Sequence, residues 1–337
     1  ALGPAPLAPR AQPASVWTGT ELLVWGGFGN DVQLADGARY DPAGDAWKPM
    51  AASPLSPRTA RGVWTGKEMI VWGGGVAERL AGDGAAYDPV ADEWRSLAPA
   101  PLSPRARPAQ AWTGQEMLVW GGSGGAGEAR ADGAAYDPAA DSWRPMAPGP
   151  LSARSGSAAA WTGKELVIWG GGAGETQFGD GAAYDPAADT WRALAMSPLA
   201  ARIGPGHAWT GEQLLLWGGG GSGGHLADGA AYDPTADSWE KLPPAAGLAA
   251  RGGHSVVWTG EELLIWGGGD AFTYGNGASY RPGEGWAILP RSRPPLAGRA
   301  NTAMAWTGDE LLIWGGSITS EDGSRSMSDT GAAYTPA

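Results

Sequence analysis

The 337-residue chain contains no cysteine. Disulfides, thiolate metal sites and cysteine nucleophiles are therefore excluded. Histidine and phenylalanine are scarce, with three of each, and only four of the 23 basic residues are lysine (Lys48, Lys67, Lys164 and Lys241). There is no run of 18 apolar residues, so no segment reads as a membrane-spanning helix. The net charge of −12 repels phosphate backbones on average, and no basic stripe offsets it, so no nucleic-acid partner is expected. The opening Ala1-Leu2-Gly3-Pro4-Ala5-Pro6 is not a signal peptide and looks like the start of a mature or trimmed chain. Lack of cysteine suits any compartment, export included. The expectation is an extracellular or periplasmic monomer.

What the chain has in abundance is repetition. Trp-Thr-Gly units begin at Trp17, Trp64, Trp112, Trp161, Trp209, Trp258 and Trp306, at spacings of 47, 48, 49, 48, 49 and 48 residues. Each is followed by a short apolar run, Trp-Gly-Gly, a loop, Gly-Ala-x-Tyr, then Pro and usually another Trp. A period near 50 with strand-like segments marks a β-propeller. The expectation is all-β: one seven-bladed ring of four-stranded antiparallel blades. The repeats are 10–57, 58–104, 105–153, 154–201, 202–250, 251–298 and 299–337, the last completed by 1–9.

The third repeat shows how one copy makes one blade. Arg105 to Trp112 is small-residue sequence suited to the crowded inner strand, a. Thr113-Gly114-Gln115-Glu116 forms a tight turn, since glycine accepts positive φ. Met117 to Trp120 is strand b. Ala134 to Tyr136 is strand c. Asp137-Pro138-Ala139-Ala140-Asp141 is a turn, and Trp143 to Met146 is strand d. So small a sheet buries both faces only by stacking on its neighbours.

All twenty Trp fall in register: seven in Trp-Thr-Gly, seven in Trp-Gly-Gly and six at strand d. Seven of the eight Tyr lie at the end of strand c. Each such aromatic removes roughly 150–250 Å² from water, so these residues supply most of the bulk between blades. Strand d of the seventh repeat has no counterpart after Tyr334. The segment from Leu2 to Arg10 matches the tail of strand d, as in Leu97 to Arg105. The N-terminus is therefore expected to clasp the last blade, with a short clasp.

These residues resemble the kelch repeat family. The Gly-Gly doublet after strand b, Tyr-Asp-Pro at strand c, the strand-d Trp and the Arg opening strand a all match, over the whole chain. Arg251-Gly252-Gly253-His254 is similar to the kelch Arg-x-x-His opening. The Trp-Gly-Gly spelling looks like bacterial members. The resemblance implies a propeller that binds proteins or glycans. A minority of relatives are enzymes, one of them a copper oxidase whose site needs a cysteine-modified tyrosine. No cofactor or metal is expected here.

The d–a connections and b–c loops share one face of such a ring, the upper face. The a–b and c–d turns share the other. The lower turns barely vary between repeats, whereas the upper loops differ: Phe28 to Leu34, Ser123 to Ala129 and Gly220 to His225 have little in common. Variation within a repeat protein marks a candidate binding surface. An Arg recurs at the mouth of strand a: Arg10, Arg58, Arg105, Arg154, Arg202, Arg251 and Arg299. Six lie seven residues before the Trp; Arg58 lies six before. Each would either brace the ring by pairing with the Asp before strand c (Asp36, Asp83, Asp132, Asp180, Asp228) or line an anion-binding throat. The Asp ring could instead take Ca²⁺. His207, His225 and His254 all belong to repeats five and six and form a candidate ligand cluster. Repeat six departs from the pattern with Arg281, Gly285, Asn276, Phe272 and Tyr274. Repeat seven carries a long polar loop, Ser317 to Thr330.

Three functional readings follow. The first is a non-enzymatic scaffold that recognises a protein or carbohydrate through the upper face. The second is an enzyme acting on a small acidic sugar in the throat. The third is an engineered or recently amplified scaffold without an evolved ligand, which the identical Ala-Asp-Gly-Ala-Ala-Tyr-Asp-Pro of repeats three and five would explain.

Overall fold

The computed structural model describes residues 1–29, 31–76, 79–290 and 296–335. Asn30 of the first upper loop, and Pro336 and Ala337 at the end, lie outside the described residues. The molecule is a ring of seven antiparallel sheets, and among the described residues there is no α-helix. Inner strands at Ala14–Trp17, Gly62–Trp64, Ala109–Trp112, Ala158–Trp161, Gly206–Trp209, Ser255–Trp258 and Ala303–Trp306 each touch the next, and the last touches the first. They enclose a central channel.

Blade 3 shows the local causes. Its strands are Ala109–Trp112, Met117–Trp120, Gly133–Asp137 and Ser142–Pro145, in spatial order a-b-c-d. The register places Trp112 opposite Met117, Met117 opposite Tyr136 and Tyr136 opposite Trp143. One row of bulky side chains thus crosses the whole sheet. The a–b turn closes because Thr113 Oγ1 accepts the N–H groups of Gln115 (3.1 Å) and Glu116 (2.9 Å). Gly114 sits there at φ +100°, a conformation that glycine adopts without strain. The c–d turn closes because Asp137 Oδ1 accepts from Ala139 and Ala140. The Tyr136 hydroxyl donates to Asp141 at 2.6 Å, and the N–H of Ala98 in blade 2 donates to the same carboxylate at 2.9 Å. The repeated lower turn is therefore also a link between blades.

The core lies between blades rather than within them. Leu118, Trp120 and Ala135 of blade 3 pack on Leu166, Ile168, Ala182 and Tyr184 of blade 4. The Trp ending strand b is buried in every blade. The strand-d Trp packs on that Trp from the preceding blade and on the Tyr of its own. Trp191 stands 5.8 Å from Trp120 and 5.0 Å from Tyr184, and its indole N–H donates to Ala147 O at 2.9 Å.

The N-terminal segment closes the ring on blade 7. Leu2 N–H donates to Gly331 O (3.1 Å), and Arg10 exchanges main-chain hydrogen bonds with Ser328 and Gly316. Among the described residues, blade 7 has three paired strands. Leu2 takes the place of Met50, Leu97 and Met146, which follow strand d in their blades and bond Gly37, Gly84 and Gly133 in the same way. Among the described residues, the core between blades 6 and 7 has four buried members (Leu264, Trp266, Leu311 and Ile313).

Candidate functional site: the upper face and channel mouth

The seven strand-a arginines are among the most buried side chains in the molecule, each at most 2% exposed. Arg105 shows the pattern. Its guanidinium donates to Asp132 Oδ1 (2.8 Å) and Oδ2 (2.9 Å), to Gly121 O (3.1 Å) and to Ser103 O (2.9 Å). All but one of these acceptors belong to the strand-end loops of its own blade. Its main chain does the opposite: Arg105 N–H donates to Ala81 O and Arg105 O accepts from Gly74, both in blade 2. The side chain ties its own blade together, and the backbone bonds tie that blade to the one before. The Arg105 hydrogen bond outweighs burial and holds the Asp132 carboxyl below the usual range; Arg154 does the same to Asp180.

Blades 6 and 7 lack the carboxylate. Arg251 donates to Asn276 Oδ1 at 3.0 Å and lies 4.7 Å from the Tyr274 ring centre. Arg299 donates to Ser328 Oγ (2.8 Å) and Thr330 O (2.9 Å). Burial pushes both guanidinium groups down to about 10.

The three histidines keep separate partners. His207, on the channel wall, uses Nδ1 toward Pro205 O (3.1 Å), and Nε2 accepts the Ala159 N–H (3.4 Å), which fits the neutral ring. Burial, and then the charge of Arg61, push it down to about 4. His254 packs edge-on to Trp217, and burial followed by Arg251 lowers it to about 3. His225 pairs with Asp270 of the next blade at 2.8 Å, where both are open to solvent. Among the described residues, no three His, Asp or Glu side chains gather as a metal site.

The upper loops form short hairpins in blades 1, 2, 4, 5 and 7. They present Val32, 54% exposed, and Phe272, 37% exposed, the latter edge-on to Tyr274. Between blades 1 and 2 lies an open cleft of about 680 Å³, lined in part by Val32, Gln33, Arg79 and Leu80.

Two groups of arginines were not singled out by sequence reasoning. Arg95, Arg144 and Arg192, each following a strand-d Trp, make bidentate pairs with Glu68, Glu116 and Glu165. Each also reaches the Tyr hydroxyl of the following blade. The repeated Trp-Arg dipeptide was the available signal. The second group is at the channel mouth. Just before strand a, Gln12, Arg107, Gly156, Gly204, Gly253 and Asn301 all adopt positive φ. Several join into a belt around the opening: Gln12 N–H to Asn301 O, Asn301 to Gly253, Gly204 to Gly156, and Gly156 to Arg107, at 2.8–3.2 Å. Blade 2 is one residue short here. Thr59 takes the place of Ala11, and nothing takes the place of Gln12. The signal for this was Arg58, one residue closer to its Trp than the other six. Below the gap stands Arg61, solvent-exposed, where the other blades carry Ala14, Ala109, Ala158, Gly206, Ser255 and Ala303.

The blade count and closure define a seven-bladed propeller. The KLHDC2/KLHL20/DRC7 Kelch-repeats domain model matches residues 102–269, which hold blades 3 to 5 and the first half of blade 6. The match, together with the seven-bladed ring, supports a kelch-repeat propeller. A search of curated proteins finds no match.

Proposed function

We propose that this propeller is a non-enzymatic scaffold that holds a protein partner on its upper face, on the rim formed by the b–c hairpins. The observation that carries the reading is the contrast between the two faces. The lower turns repeat the same two hydrogen-bonded devices, the Thr-capped a–b turn and the Asp-capped c–d turn. The upper loops differ from blade to blade, and those of blades 1 and 6 present apolar Val32 and Phe272. Kelch propellers usually bind proteins, and an open, irregular rim suits a broad contact. A catalytic throat has less support, because the seven strand-a arginines are spent on their own blades and the histidines do not converge.

The test is selection of binders from a displayed polypeptide library on the intact protein. Each is then measured against a Val32→Asp, Phe272→Ala double variant and against Val90→Asp on a lower turn. Binding weakened at least about tenfold by the upper variant and unchanged by Val90→Asp is expected. The opposite pattern overturns the reading.

A further inference from the structure

The gap in the channel-mouth belt leaves three donors without partners. Arg61 and Arg107 are both exposed at the upper end of the channel, and among the described residues neither forms an ion pair or a side-chain hydrogen bond. Arg61 immediately precedes the inner strand of blade 2 and Arg107 precedes the inner strand of blade 3, two strands in contact, and among the described residues no carboxylate lies within ion-pair distance of either. The Arg107 N–H is also unbonded among the described residues. In blades 1, 4, 5 and 7 the same N–H is taken by a carbonyl of the preceding blade, and the missing residue of blade 2 is that carbonyl's owner. His207 lies near Arg61 but is neutral, with both ring nitrogens occupied, so it adds no charge.

We propose that Arg61 and Arg107, with the free Arg107 N–H, bind a small oxyanion of the phosphate or sulfate class in the gap that blade 2 leaves at the channel mouth. Two guanidinium groups present planar forks matched to a tetrahedral oxyanion, and a dianion offsets both charges at once. A main-chain N–H beside a left-handed residue completes a small anion-binding concavity. The crowded walls of the channel keep these charges less screened than on an open surface. The protein's net charge of −12 makes such a site a local exception and sets it apart from general basic character.

This site stands whether or not a protein docks on the rim, since the probe is an ion. Inorganic phosphate and sulfate are titrated calorimetrically into the intact protein, with chloride at matched ionic strength as control. Saturable binding is expected, with the two oxyanions competing. Arg61→Ala and Arg107→Gly install residues that other blades already carry at these places, so the fold is retained. Each should weaken binding about tenfold or more. Without oxyanion, Arg61→Ala should melt at or above wild type, because a repulsion is removed; with phosphate the order should reverse. Phenyl phosphate separates the sources. Binding as tight as that of the free ion means the site accepts a phosphoryl group carried on a larger molecule, and its exclusion means the free ion is the ligand. No saturable heat with either oxyanion, or binding unchanged in both variants, overturns the proposal.

Discussion

Exchanging Asp132 and Asn276 in type, one at a time, tests what the carboxylate adds to a buried arginine. Arg105 and Arg251 occupy the same socket in blades 3 and 6, both fully buried, one facing a carboxylate and the other an amide. In Asp132→Asn the guanidinium keeps its carbonyl partners and one side-chain hydrogen bond, as Arg251 does. What it loses is the counter-charge. Breaking a fully buried pair costs about 3–5 kcal/mol. The Asp132 side chain is 55% exposed, so screening cuts this to about 1 kcal/mol. Asn276→Asp should gain about the same amount. The pH dependence fixes the sign. The folded Asp132 carboxyl titrates below its unfolded value. Its contribution is present above the ordinary carboxylate range and fades as pH falls through the lowered native value. Urea midpoints for wild type, Asp132→Asn and Asn276→Asp at pH 7 and again near pH 2.5 make the measurement. The expected order at pH 7 is Asn276→Asp, wild type, Asp132→Asn, with the spacing collapsing in acid. Equal midpoints at pH 7, or a gap that persists undiminished in acid, would refute the electrostatic account.

Other outcomes follow from the same geometry. Trp143→Phe removes an indole N–H that donates to Ala98 O across a blade boundary, whereas the Trp120 N–H has no partner among the described residues. The first change should therefore cost about 1 kcal/mol more in hydrogen bonding than Trp120→Phe, once each is corrected for ring size against a Trp→Tyr control. Arg144→Ala breaks the Glu116 pair and the Tyr184 contact together and should cost about 1–2 kcal/mol; Arg144→Lys should restore only part of it, read by urea midpoint. His207 is held neutral in the fold, so the unfolded chain binds the extra proton between pH 6.5 and about 4, and stability falls as pH drops through that window. His207→Ala, which copies Ala159, should remove one proton's worth of that slope in a pH series of midpoints.

The architecture was legible because its cause is periodic. Trp120, Tyr136 and Trp143 recur in every full repeat, and a register that places bulk between sheets is visible as spacing alone. Strand b of blade 3 falls where the sequence places it, Met117–Trp120, and strand c is one residue longer at each end. The inner strand is shorter than expected, Ala109–Trp112, because Arg105 bonds to the previous blade, Ala106 bridges Ser123 of its own upper loop and Arg107 turns through positive φ before the ladder begins. The recurrent arginines were legible as a ring, but spacing does not say which way a guanidinium turns. Their depth and the within-blade carboxylate pairing appear only once Gly121 and Asp132 are folded against Arg105. Arg61 was illegible for another reason. The structure around it follows from one missing residue in a segment without regular periodicity, and only the displaced Arg58 hinted at it. His207 could be placed on an inner strand, but its partners are main-chain atoms of Pro205 and Ala159, which no side-chain pattern reveals.

Arg105 holds its own sheet by the guanidinium while its peptide groups hold the sheet before it, and six counterparts sit in the same kind of socket around the ring. A single repeat excised from this chain would carry half of each joint and complete none. Stability is thus distributed among junctions more than among modules, and melting should be concerted around the whole circle, with no succession of separate steps. Insertion or loss of one repeat would also change the angle that every remaining junction must span, so divergence in length is tolerated on the rim and resisted in the ring.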